Sequence, residues 1–155
     1  MIFGNKKWLA SRLDELEGAS EVMDTSHGPV EFSLQGSAPY MLVFHATPGG
    51  HDQNMAGTPF LEAGLGVITP SRPGYLRTPL ATGQTFEDQA DANAALLDAL
   101  GVDRVVVHGI SGGGPAAIQF AARHPGRTYA LLLSYAVTQA HSWDIPAWSR
   151  YVNRH

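Results

Sequence analysis

The sequence predicts an α/β chain: a mostly parallel sheet with helices on both faces, entered through an N-terminal antiparallel hairpin. Three observations carry this. The runs at 40–44, 105–107 and 129–133 are apolar without alternation, the pattern of strands buried on both faces of a parallel sheet. Phe86, Ala90, Ala94, Leu97 and Leu100 recur at helical spacing between the first two runs. Strands alternate with helices over short loops, which favours right-handed crossovers.

Taken in order, residues 6–17 carry Leu9, Leu13 and Leu16 on one helical face, which is expected to pack, and Gly18 ends the helix. Residues 21–25 and 30–35 flank Ser26-His27-Gly28-Pro29. Val30, Phe32 and Leu34 alternate with Glu31, Ser33 and Gln35, which reads as a hairpin with one polar face. Gly36-Ser37-Ala38-Pro39 turns the chain into the strand 40–44. Residues 56–63 are weakly helical and interrupted by Pro59, and a short strand follows at 67–69. Ser71 to Pro79 form a Pro- and Gly-rich loop. Thr85 with Asp88 forms a capping box, and Gly101 stops the helix it opens. A strand at 104–108, a helix at 113–123 and a buried strand at 129–134 complete the pattern.

At 155 residues the chain is a single domain's worth, able to bury about 70% of its unfolded surface. Charged residues are 15% of the total and the formal net charge is −4, with no basic cluster, so nucleic acid is not an expected partner. The absence of cysteine excludes disulfides and thiolate chemistry. Gly4-Asn5-Lys6-Lys7-Trp8 is followed by no apolar leader segment, and no apolar run reaches 18 residues, so the expected setting is cytoplasmic, away from membranes.

The stretch with most chemical content is Gly109-Ile110-Ser111-Gly112-Gly113, a G-x-S-x-G pentapeptide between a strand and a small-residue helix. In that setting the serine sits on a strained turn costing about 1–3 kcal/mol, with its Oγ clear of the sheet. Gly109 and Gly113 lack the Cβ atoms that would keep strand and helix apart. The free N–H groups of the helix then face the oxygen that would carry negative charge in acyl transfer. Residues 112–117 also match the dinucleotide pattern G-x-G-x-x-A, although no acidic residue follows until Asp144. A P-loop is excluded, because Pro115 stands where its lysine belongs.

The hairpin, His45-Ala46-Thr47-Pro48-Gly49-Gly50, Arg72-Pro73-Gly74-Tyr75 and the serine turn together resemble the N-terminal half of an α/β-hydrolase, along the whole chain. In that family the loop after the third strand usually reads His-Gly-x-Pro-Gly; here Ala46 takes the glycine place. The resemblance implies that Ser111 is a nucleophile and that the backbone N–H groups of Thr47 and Gly112 form the oxyanion hole. It also implies that His45 braces the loop and that residues 72–75 shape the pocket rim. The reaction would be attack of Ser111 on a carbonyl, with water later releasing the acyl group. No cofactor is implied.

A serine needs a base, and the family supplies an Asp or Glu and then a His after later strands. The sequence is expected to stop short of both, so the isolated chain is expected to be a truncated esterase-class hydrolase of weak or no turnover. A non-catalytic ligand-binding remnant and a Rossmann-like nucleotide unit are the alternatives. Asp144 and His155 have the right order but are too close in sequence for the intervening helix and strand. His108 precedes the serine on its strand, and His124 lies about 18 Å away at the far end of the following helix. His51, His141 and His155 are expected at the surface, and His27 in the hairpin turn. Without a His-x-x-x-His pair on a helix, no metal site is expected.

Asp52 reads as a helix N-cap, and Glu87, Asp88, Asp91 and Asp98 as a solvated helix face. Residues 138–155, with Trp143, Trp148 and Tyr151, could begin a lid or pack in the core. Truncation would leave the strand bearing Tyr129, Leu131 and Leu133 as a bare apolar edge, open to a second copy or to a missing C-terminal half.

Overall fold

A computed structural model describes residues 6–53 and 58–138. Its elements are α1 (Lys6–Gly18), β1 (Glu21–Thr25), β2 (Gly28–Gln35), β3 (Tyr40–Phe44), α2 (Thr58–Glu62), β4 (Gly66–Pro70), α3 (Phe86–Ala99), β5 (Val105–Ile110), α4 (Gly114–Arg123) and β6 (Thr128–Ser134). The strands form one sheet in the order β1-β2-β4-β3-β5-β6. β4, β3, β5 and β6 run parallel, while β1 pairs antiparallel with β2 and β2 with β4. The hairpin is thus built into the sheet, and its turn is only Ser26-His27, because Thr25 already pairs with Gly28.

Alternate side chains of the central strands face opposite layers. Leu42, Phe44, Val105 and Val107 pack with Ala90, Ala94, Leu96 and Leu97 of α3 and Ala116, Ala117 and Phe120 of α4. Met41, Val43 and Val67 face Phe60 and Leu61 of α2. Thr85 caps α3 reciprocally with Asp88, as the sequence predicts, and Gly101 follows with φ 67°. Pro59 is the second residue of α2 as described, a first-turn position where its missing N–H is no loss.

Four expectations need correction. The apolar face of α1 does not pack: Leu9 and Leu13 are 53% and 43% exposed. The polar face of β2 is not solvated, because β2 lies beside β4 and the loops after β3 and β4 cover it. Glu31 and Ser33 are buried, while Leu34, near the strand end, is exposed. Tyr129, Leu131 and Leu133 of β6, which has no strand on its far side among the described residues, are exposed rather than buried. The acidic face of α3 is partly used: Asp91 pairs with Arg123 and His124, and Asp98 with Arg127. Residues 139–155, with most of the candidate lid and with Asp144, His141 and His155, lie outside the described residues.

Glu31 is the polar centre of the covered face of β2. Ser20 Oγ and Ser71 Oγ each donate to it at 2.8 Å, and Arg77 donates through its backbone at 3.0 Å and through Nε at 2.8 Å. Burial alone would push this carboxyl up; the bonds from Arg77, Ser20 and Ser71 outweigh burial and hold it below the usual carboxylate range. Removing one member of such a buried pair strands the other. Glu31→Ala is expected to cost about 3–5 kcal/mol in urea unfolding, against about 1 kcal/mol for loss of the α3 cap in Thr85→Ala. Equal losses in the two variants would show that Glu31 does not anchor the loop after β4.

Candidate active site

β5 runs two residues past the expected strand end at His108, through Gly109 and Ile110, and leads directly into Ser111. Ile110 is extended, Ser111 has φ 47°, and residues 111–113 form one tight turn before α4 starts at Gly114. A left-handed serine is a strained residue, and its surroundings enforce it. A Cβ at Gly109 would lie 2.7 Å from Ala117 Cβ, and one at Gly113 would collide with the carbonyl oxygens of Phe44 and His45. The start of α4 therefore rests on the end of β3, a fit open only to glycine. The Ser111 carbonyl accepts a 2.9 Å bond from the N–H of Val137, which ties the chain after β6 to the same turn.

The loop after β3 lies opposite. His45 is fully buried; its Nδ1–H donates to the Ala46 carbonyl at 2.7 Å and its Nε2 accepts from the Arg72 N–H at 2.9 Å. This pair of bonds requires the neutral ring with the proton on Nδ1. Burial lowers the imidazole pKa to about 4, the bond to Ala46 opposes that shift, and the Arg72 charge adds to it. His45 thus links the loop after β3 to the loop after β4 as a neutral brace. The Tyr75 ring meets His45 edge-on at 5.2 Å.

Thr47 is exposed and Gly112 half-buried, and they are brought together: a Cβ on Gly112 would lie 2.6 Å from Thr47 Oγ1. Arg72 joins them, donating through Nη2 to Thr47 Oγ1 at 2.6 Å and through Nη1 to the Gly112 carbonyl at 2.8 Å. Sequence reading assigns Arg72 only to a pocket rim. Its partners lie 25 and 40 residues away, and the one local signal is a cation fixed in a Pro- and Gly-rich loop.

The histidines divide differently from expectation. His51 is buried, not at the surface: its N–H donates to Ser71 Oγ at 3.0 Å, its carbonyl accepts from Ser33 Oγ at 2.9 Å, and its Nε2 lies 3.7 Å from Glu31. Asp52 caps no helix among the described residues. Its Oδ1 accepts from the Gly50 N–H at 3.1 Å, closing the turn in which Gln53 N–H reaches the Gly50 carbonyl. His108 is buried on the α2 side of β5, with Nε2 at 2.9 Å from Ser134 Oγ and its ring against Phe60. His124 pairs with Asp91. Among the described residues no histidine or carboxylate is hydrogen-bonded to Ser111, and no group of three His, Asp or Glu could hold a metal ion.

A family model described as the alpha/beta hydrolase fold matches residues 39–147. The hydrolase YcgS of Bacillus subtilis (strain 168), named as uncharacterized, is 37% identical over 134 residues, 84% of this chain and 45% of that protein. A pimeloyl-(acyl-carrier protein) methyl ester esterase of Aromatoleum aromaticum is 42% identical over 95 residues, 61% of this chain and 36% of the esterase. The solved structure of an alpha/beta hydrolase fold protein from Nakamurella multipartita aligns with a TM-score of 0.76 and 43% identity, over 81% of this chain and 44% of that one. The chain spans less than half the length of each of these relatives.

The neutral state of His45 has a consequence for acid stability. The unfolded chain takes up a proton on this residue near pH 6.5, whereas the folded chain takes it up only near pH 4. Folding is therefore favoured by the full shift above pH 6.5, on the order of 3 kcal/mol, and loses that contribution as pH falls from 6.5 to 4. Urea unfolding at pH 7 and pH 4.5 is expected to show a smaller acid loss in His45→Gln than in the parent. His108, also lowered by burial, and Glu31, held below its usual range, contribute to the loss that remains. An identical acid loss in both proteins would mean that His45 is not held neutral.

Proposed function

Since the chain belongs to the α/β-hydrolase fold family, we propose that it is built for acyl hydrolysis of the esterase class, with Ser111 as the nucleophile and the backbone N–H groups of Thr47 and Gly112 as the oxyanion hole. The observation that carries this reading is the left-handed Ser111 between β5 and α4, next to Gly112, which abuts Thr47. On this reading Ser111 Oγ attacks the carbonyl carbon of an ester and its proton passes to a general base. The carbonyl oxygen takes the negative charge and lies between the two N–H groups at the positive end of α4. Collapse expels the alcohol, and water repeats the sequence on the acyl-serine. Removing one such donor typically lowers the rate about 10²–10³-fold.

The base is the part that the described residues do not place at Ser111. The isolated chain is therefore expected to turn over weakly, since sites deprived of their base keep only about 10³–10⁴-fold acceleration over water. That same gap favours a second reading, a hydrolase-derived pocket that binds a ligand without chemistry. A setting in a reducing compartment such as the cytoplasm agrees with the absence of cysteine; among the described residues no helix is long and apolar enough to cross a membrane.

The sheet edge belongs to the proposal. β6 has β5 on one side and, among the described residues, no strand on the other. Tyr129, Leu131 and Leu133 are 59%, 37% and 42% exposed there. An unpaired apolar edge recruits another strand, and for the isolated chain the proposed source is a second copy.

Two measurements test these statements. A fluorophosphonate probe is expected to label the parent chain at Ser111 and to leave Ser111→Ala unlabelled. No labelling of either protein would favour the ligand-binding reading. Sedimentation equilibrium over a wide concentration range is expected to give a dimer that Leu131→Lys returns to monomer; a parent chain monomeric throughout would remove the edge proposal.

A further inference from the structure

Arg72 is a cation in an unusual position. It is 7% exposed, with the Tyr75 ring 5.2 Å below its guanidinium carbon, and its Nε has no hydrogen-bond partner among the described residues. Arg12, Arg77, Arg123 and Arg127 each pair with a carboxylate. Arg72, more buried than these, pairs with no carboxylate among the described residues; Thr47 Oγ1 and the Gly112 carbonyl, which accept from it, are neutral, and its remaining side-chain interaction is with Tyr75. A buried charge without a counter-charge is costly.

The two acceptors are also the two residues whose orientation matters. Gly112 has no side chain, so the torsions relating its N–H to its carbonyl are unusually free, and holding the carbonyl limits one of the two peptide planes that flank its Cα. Thr47 stands on an exposed loop beyond β3. Arginine can satisfy both at once because its Nη groups form a rigid fork, whereas a lysine presents a single flexible ammonium. The loop bearing Arg72 is itself anchored: its N–H donates to His45 Nε2, and its neighbour Ser71 donates to Glu31.

We propose that Arg72 is the positioning residue of the oxyanion hole, a clamp that sets the Thr47 and Gly112 donors against each other and whose uncompensated charge is met by the anion formed on the substrate. This rests on the acyl-hydrolase reading of Ser111. It places Arg72 outside the bond-making steps: the guanidinium acts through Thr47 and Gly112 and keeps its protons throughout.

The test is the rate of Ser111 labelling by the fluorophosphonate probe in the full 155-residue chain. Arg72→Ala is expected to slow labelling about 10–100-fold, the size of effect that sub-ångström to ångström displacement of reacting groups produces. Arg72→Lys should recover only part of the loss. Millimolar guanidinium chloride should speed Arg72→Ala and leave the parent unchanged, which a purely structural defect would not do. The loss in Arg72→Ala should shrink when Thr47→Val is already present, because the two act as one unit. Labelling of Arg72→Ala at the parental rate, with Ser111→Ala unlabelled, would overturn the clamp and leave the hydrolase reading intact. Slow labelling without guanidinium rescue, in parallel with lost ellipticity, would overturn it too. A parent chain that does not label at all would remove the hydrolase reading, and the clamp with it.

Discussion

The contact on which the site depends is the seating of the turn at Gly113 on the carbonyl oxygens of Phe44 and His45. Any side chain at 113 would push α4 away from β3, and with it the serine turn away from the Thr47 loop. Parallel pairing of β3 with β5, Phe44 opposite Gly109, brings the two strand ends level. The packing of Phe44 against Phe120, ring centres 5.9 Å apart, holds α4 down on the same strand. Strain at Ser111 is thereby held in place by a well-packed core, which is the condition under which a left-handed serine persists.

A second layer stabilises the loops rather than the strands. Glu31 sits under the loop after β4 and gathers Ser20, Ser71 and Arg77, while His45 joins the loops after β3 and β4 through the Arg72 N–H. The N-terminal hairpin is therefore more than an edge to the sheet: β2 carries the buried acid from which the loop bearing Arg72 is suspended. Glu31 keeps its charge because donors surround it, and His45 stays neutral because burial disfavours its cation.

Local patterns were legible where local physics decides. The uninterrupted run at β3 and the capping box of α3 both read correctly, since strand burial and helix capping depend on neighbours in sequence. Readings based on alternation or polarity failed where distant chain covered a surface. β2 appeared half-polar, yet Glu31 and Ser33 are buried; His51 appeared a surface residue, yet loop and strand enclose it. α1 erred the other way, its leucine face amphipathic but largely uncovered.

By itself the sequence determined the alternation of strands and helices, the strained serine turn and the resemblance to an α/β-hydrolase, because these rest on residues within a few positions of one another. Only the tertiary structure decided that Arg72 joins Thr47 to Gly112 and that Glu31 anchors the loop from beneath. Those bonds span 25 to 46 residues, and a long side chain's partner across such a distance is set by how the strands stack, not by what stands next to it in the chain.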